Sequence, residues 1–233
     1  MTMAASFINS HLSLKLTLFI FIIVLLTGCE DTIKFEEPQP ANKANLKQIP
    51  KKLRGTYIEE ADKLNLTIDS KAIVEWLDVS YKTTKDSLDF EIDSSKIVSQ
   101  NNTKIQLNEG GLNLNLDFFS TDSIAVHYTY RDTIFSISDE HILRQFKGHY
   151  FLNYKRGEGN WKVRRLTLKN GNLSFAKVNL PDDITELKEI TDLKEIEADS
   201  GKNMGYKLKP SKKELKQLME RSFTETKTYK KLK

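Results

Sequence analysis

The chain reads as a mainly β protein of antiparallel sheets with a short helix near its C-terminus. Three observations carry this reading. Apolar and polar side chains alternate along many short runs, the two-residue period of a strand with one buried face. Turn residues such as Asn170-Gly171 separate these runs. Only the segment after Pro210 joins a clear helix start signal to helical spacing of apolar residues. Two small β units and one barrel-like sheet both satisfy this pattern.

The clearest strand follows Gly111. Leu112, Leu114, Leu116 and Phe118 share one face, and Asn113, Asn115 and Asp117 the other. Ile124, Val126, Tyr128 and Tyr130 repeat the arrangement. Further strands are expected at 53–60, 64–69, 71–77, 79–84, 103–107, 132–137, 147–154, 161–168 and 172–178. Trp161 and Val163 alternate cleanly, but the apolar phase then moves to Leu166 and Leu168. That shift predicts a bulge near Arg164-Arg165. Asn170-Gly171 predicts a type I′ hairpin turn.

Ser211 with Glu214 three residues on forms a capping box, and Leu215, Leu218 and Met219 follow on one face. This predicts a helix over 211–221 feeding a strand from Phe223 to Leu232. A weaker helix is expected at 182–190 from the spacing of Ile184, Leu187 and Ile190. Ser138-Asp139-Glu140 reads as the cap of a single turn before Leu143.

An internal repeat is visible. Leu53-Arg54-Gly55-Thr56-Tyr57 matches Phe146-Lys147-Gly148-His149-Tyr150 as apolar-basic-Gly-x-Tyr. Leu66-Thr67-Ile68 and Leu166-Thr167-Leu168 follow at comparable distances. The pattern divides the folded part into β-rich units at 51–137 and 138–233. Coincidence between two strand starts is the competing reading, because alternation constrains all strands alike.

The N-terminal segment is of another kind. Lys15 precedes the run Leu16 to Leu26, and small residues lead to Cys29. The uninterrupted stretch Leu18 to Leu26 is well short of the roughly 20 residues that span a bilayer. Residues 1–28 therefore read as a secretory signal. Cys29 is the only cysteine, so no internal disulfide is expected. Leu26-Thr27-Gly28-Cys29 resembles the lipobox of bacterial lipoproteins. The resemblance implies cleavage before Cys29, acylation of that residue (palmitate included), and an address in the bacterial cell envelope. The outer membrane is the expected location. Residues 29–50 carry Pro38, Pro40 and Pro50 among polar residues and read as a lipidated tether.

Lys and Arg number 36 against 32 Asp and Glu, a net charge of +4, too mild to imply nucleic acid as a partner. The distribution is uneven. Between Pro181 and Ser200 acids dominate, with Lys188 and Lys194 the only cations. From Gly201 onward cations dominate, with Glu214, Glu220 and Glu225 the only acids. Two solvated faces that partly neutralise each other account for this. Contact of the basic end with anionic lipid phosphates is the sharper alternative.

Catalytic signatures are scarce. His127, His141 and His149 lack close metal-ligand spacing, so no metal and no cofactor are expected. Ser174-Phe175-Ala176-Lys177 matches Ser-x-x-Lys but falls on an expected strand, where Ser174 and Lys177 face opposite ways. Asp-hydroxyl-apolar triplets begin at Asp31, Asp86, Asp122 and Asp132. They resemble an O-glycosylation acceptor pattern of some bacteria, with Thr32 the best-placed acceptor. Gly55-Thr56-Tyr57 and Gly148-His149-Tyr150 also resemble, with tyrosine in place of tryptophan, the Gly-x-Trp opening of lipocalins. That likeness implies a β module around an apolar ligand.

The chain is thus expected to be a lipid-anchored envelope protein of non-enzymatic binding or scaffolding type. Its partners are the membrane through Cys29, and an envelope protein, a glycan or a small apolar ligand. Tyr128, Tyr130, Tyr154 and Trp161 would serve a binding surface if they point outward. A lipocalin-like carrier and, less favoured, an envelope hydrolase are the alternatives.

Overall fold

The computed structural model describes residues 33–61, 63–84, 97–101, 104–109, 112–118, 123–157, 159–181, 184–197 and 203–232. Cys29 and Thr32 lie outside the described residues, as does the signal segment. Among the described residues no helix is long and apolar enough to cross a membrane.

The strands are β1 (Ile33–Phe35), β2 (Gly55–Ile58), β3 (Asn65–Ile68), β4 (Ala72–Thr84), β5 (Ile97–Asn101), β6 (Lys104–Glu109), β7 (Leu112–Phe118) and β8 (Ser123–Ser136). They continue with β9 (His141–Phe146), β10 (His149–Lys155), β11 (Trp161–Lys169), β12 (Asn172–Val178), β13 (Leu193–Glu197), β14 (Asn203–Leu208) and β15 (Phe223–Lys231). Among the described residues two α-helices, α1 (Thr185–Lys188) and α2 (Lys212–Arg221), and one 3-10 turn (Lys51–Leu53) complete the fold.

All strands belong to one sheet, ordered β13-β14-β1-β11-β12-β15-β2-β3-β4-β8-β7-β6-β5, with β10 and then β9 on the other edge of β11. The expected all-antiparallel arrangement is broken at one place, where β1 runs parallel to β14. The sheet curls deeply but does not close into a barrel. β8 and β9 are consecutive in the chain and do not pair with each other; β8 pairs with β4 and β7, and β9 with β10.

The repeat has a structural counterpart. Tyr57 faces Leu66 and Leu66 faces Glu75 across β2-β3-β4. Tyr150 faces Leu166 and Leu166 faces Phe175 across β10-β11-β12. Both meanders thus share one register, and β15 joins them by pairing with β12 and β2.

Among the described residues three apolar clusters form: a small one of Leu116, Ile124 and Val126 on β7 and β8, and two larger ones on the two faces of the curled part of the sheet. Tyr57, Leu66, Ile73, Phe135, Tyr150 and Leu166 fill the concave side with other buried residues. Phe151, Val163 and Val178 on the convex side pack with Phe35, Leu187, Leu215 and Leu218 from β1 and the helices. Strands of the second meander are therefore buried on both faces. This explains the phase shift in β11. Val163 belongs to the convex cluster and Leu166 to the concave one, and the ladders on both sides run without a register shift. The bulge expected at Arg164-Arg165 is absent. A bulge lies instead between Phe175 and Ala176 opposite β15, and another between Ile73 and Val74 opposite β8.

Other differences from the sequence reading have local causes. β4 and β8 are single strands of 13 and 14 residues, because Asp78 and Arg131 sit in register without ending the ladder. The turn expected before Leu143 is capped by Ser138, whose hydroxyl accepts from the His141 N–H at 3.1 Å, but it leads directly into β9, which forms a hairpin with β10. Its turn is Lys147-Gly148, with φ of 50° and 83°, the same left-handed pair as the expected Asn170-Gly171 turn at 52° and 80°. The expected helix at 182–190 shrinks to the single turn α1. Helix α2 follows expectation, with both halves of the Ser211–Glu214 capping box made.

Residues 33–50 are not a free tether. Phe35 and Ile49 are buried, and Gln39 is fully enclosed. The buried Asn153 side chain accepts from the Gln39 N–H at 2.6 Å and donates to the Gln39 carbonyl at 2.9 Å. Arg144 donates to the carbonyls of Pro38 and Pro40 at 2.6 and 2.9 Å. The polar composition concealed this, because the segment's backbone groups are satisfied by side chains far along the chain.

Candidate functional site

The curl leaves one end of the concave side open. There the apolar filling stops and a cleft of about 570 Å³ begins. Its buried walls come from Tyr154 on β10, Phe175 on β12, Tyr229 on β15 and Glu75 on β4. Its lining also includes Arg156, Lys162, Arg164 and Lys227 as cations, together with Asp132 and His141.

Strand alternation places these groups. On β11, Lys162 and Arg164 share the concave face with Leu166, so the same row is charged at the mouth and apolar inside. On β15, Lys227 and Tyr229 share a face in the same way. Both donate to one oxygen of Glu75. The Lys227 ammonium lies 2.5 Å from Oε1, and the Tyr229 hydroxyl makes a very short hydrogen bond to the same atom. Strands β2 and β3 lie between β4 and β15 in the sheet. The contacts therefore cross the concavity, which requires the curl.

Burial pushes the Tyr229 phenol far above its ordinary pKa, and its bond to the Glu75 carboxylate pushes the same way. Tyr154 is raised to about 12, chiefly by burial, with the nearby Arg164 and Arg156 guanidinium groups pulling it back in part. Its ring makes edge contacts with Phe135 at 5.4 Å and His141 at 5.2 Å. Its hydroxyl, on a residue only 6 % exposed, makes no well-formed hydrogen bond, and the Arg164 side chain is the neighbour that interacts with it. A buried hydroxyl of this kind normally has a partner.

The residues singled out from the sequence are dispersed. His141 lines the cleft. His127 Nε2 is 3.1 Å from an Asp78 carboxylate oxygen, and His149 Nδ1 is 2.8 Å from the Thr167 hydroxyl. Burial lowers the His149 pKa, and Arg165 adds to the effect. No group of three metal-ligating side chains forms among the described residues. Ser174 and Lys177 both lie on β12, three residues apart and hence on opposite faces. Tyr128, Tyr130 and Trp161 are half-buried and Tyr154 is buried, so these four do not make an outward aromatic patch. Thr133, in the triplet starting at Asp132, sits on the cleft rim.

Glu75, Arg164, Lys227 and Tyr229 were not legible as site residues. Their signal, charged or polar residues at alternate positions of β4, β11 and β15, is the same as that of a solvated strand face. The apolar, lipocalin-like pocket implied by the Gly-x-Tyr resemblance takes a different form. Tyr57 and Tyr150 are core residues, and the space left open is lined mainly by charged and polar groups.

No protein-family model, no curated protein and no solved structure matches this chain.

Proposed function

We propose that this is a lipid-anchored protein of the bacterial envelope that binds a small ligand without transforming it. The observation that carries this reading is the cleft itself. It is concave, is walled by strands, and encloses the Tyr154 hydroxyl, which makes no well-formed hydrogen bond and meets only the nearby Arg164 side chain. Binding at preformed strand-borne groups loses little ordering entropy.

The cleft also contains Glu75, Asp132 and His141, the residue types a hydrolase would use. Their arrangement favours binding. Glu75 Oε1 already accepts from Lys227 and Tyr229, and the His141 ring is held between Phe135 and Tyr154 without an orienting carboxylate among its described contacts.

Anchoring is proposed through Cys29, on the lipobox resemblance. The packing of β1 gives this a consequence. Four residue steps separate Cys29 from Ile33, a span of at most about 14 Å. A body that includes β1 would then lie close against the bilayer rather than on a long stalk.

The test is native mass spectrometry of the full chain extracted in detergent from its own envelope. A stoichiometric small molecule of unchanged structure supports the reading. A bare acylated mass, or a co-purifying protein, counts against it. Loss of the acyl mass in Cys29→Ser tests the anchor separately.

A further inference from the structure

Resting on the reading of Cys29 as a lipid anchor, we propose that the edge of the sheet formed by β1, β14 and β13 lies on the bilayer, where Lys194, Lys207 and Lys209 engage anionic lipid headgroups.

Strand register gathers these lysines. Lys34 faces Lys207, and Lys207 faces Lys194, so three lysines stand in one row across three neighbouring strands. They also share a face. Ile33, Phe35 and Leu208 are buried in the convex cluster and Leu193 packs against it, so the alternate positions Lys34, Lys207 and Lys194 project from the other side. Like charges directly opposite each other weaken a sheet. A row of this kind is relieved by a surface of opposite charge.

Local acids do not supply that surface. Glu36 is the one carboxylate that pairs with the group among the described residues, and it is shared. Lys194 lies 2.6 Å from one of its oxygens and Lys209 3.5 Å from the other. Lys207 joins no described carboxylate, and Glu195, beside Lys194, projects to the opposite face by alternation. Lys34 is already engaged and is left out of the count. Three ammonium groups thus stand against one carboxylate. The side chains of Lys194 and Lys209 are 73 % and 66 % exposed, so both can meet a partner from outside.

Position selects a lipid surface over other anionic partners. Lys34 is five residue steps from Cys29, at most about 18 Å along the chain. Neighbouring strands lie about 5 Å apart, so Lys207 and Lys194 are only about 5 and 10 Å further on. An acylated Cys29 would therefore keep this row beside the headgroups. Lys194 belongs to the acidic stretch of the sequence and Lys207 and Lys209 to the basic one, and only the pairing of β13 with β14 unites them.

The acylated protein, reconstituted into vesicles of phosphatidylcholine alone or with phosphatidylglycerol, gives the test. Acetylation of each lysine is followed by mass spectrometry. Lys194, Lys207 and Lys209 are expected to react about fivefold more slowly in the anionic vesicles, the factor one lysine gains at such a surface. High salt should restore their rates. Lys147 and Lys169 are exposed at the far turns of the β9-β10 and β11-β12 hairpins, away from the end of β11 that pairs with β1, and should not change. Glu36→Gln removes the competing carboxylate and should deepen the protection, whereas a misfolded variant would lose it. Lys194→Gln combined with Lys207→Gln should weaken the protection of Lys209.

Equal rates in the two kinds of vesicle overturn the proposal, as does equal protection of Lys147 and Lys169. Protection in the native envelope without protection in anionic vesicles assigns the face to an acidic protein and also overturns it. Protein that washes off neutral vesicles in high salt has no lipid anchor, and that reading then fails together with the proposal. Protein that stays bound with unchanged lysine rates keeps the anchor and loses only the proposed face.

Discussion

The Tyr229 hydroxyl donates to the carboxylate of Glu75 across the hollow of the curled sheet, joining strands β15 and β4. Lys227 donates to the same oxygen, so one acidic residue holds two positions of the last strand. The two donors come from residues more than 150 positions further along the chain. The contact therefore reports on the curl directly.

Removing it should loosen the concavity. Tyr229→Phe is expected to cost about 2 kcal/mol, the range for a hydrogen bond to a charged group. Glu75→Gln should cost a similar amount, because Lys227 is part-exposed and can be rehydrated. Urea unfolding of both single variants and the double variant checks this. The two changes should be clearly less than additive, since they delete one shared contact.

Alkaline stability follows from the two buried phenols. Both have folded pKa values above their unfolded value near 10. A raised pKa contributes stability that is fully present below the unfolded value and is lost as pH rises through the folded one. Stability should therefore hold to about pH 9 and then fall. For Tyr154, raised to about 12, the loss over that window is about 3 kcal/mol. Denaturation midpoints against pH, with phenolate absorbance as a second readout, test this. Tyr154→Phe should flatten the decline.

One amide is a main anchor of the segment before β2, beside Arg144. Asn153 accepts from the Gln39 N–H and donates to the carbonyls of Gln39, Ile142 and Phe151 at 2.9, 3.0 and 3.1 Å. Asn153→Ala leaves buried backbone groups unpaired and should cost about 3 kcal/mol. It should also make residues 36–50 sensitive to protease under conditions in which the wild-type protein is expected to resist cleavage there.

The α2 cap gives a local test. The Glu214 N–H donates to the Ser211 hydroxyl at 3.3 Å, and the Ser211 N–H to the Glu214 carboxylate at 2.9 Å. Ser211→Ala should destabilise by about 1 kcal/mol in thermal or chemical melts. Ligand binding at the cleft should be unchanged, because α2 packs on the convex side.

Much of the local structure was readable. The Ser211 box, the Asn170-Gly171 turn and the alternation of β7 and β12 each express a rule that acts within a few residues. The shared Gly-x-Tyr pattern was also visible, and its two copies take matching registers. The errors share a cause. β11 was read as bulged because Val163 and Leu166 were assigned to one core, whereas two cores lie on its two faces. The composition of residues 29–50 suggests a tether because Asn153 and Arg144, which hold its described part, are more than 100 positions away.

By itself the sequence determined the strand periods, the turns, the helix cap and the two related meanders, since those depend on neighbours along the chain. Only the tertiary structure decided that a single open sheet curls, and that Glu75 meets Tyr229. It alone decided that ordinary strand cations converge with Tyr154 at one mouth. Those outcomes depend on which distant strands share edges and which way the sheet twists, and alternation along a strand carries no record of either.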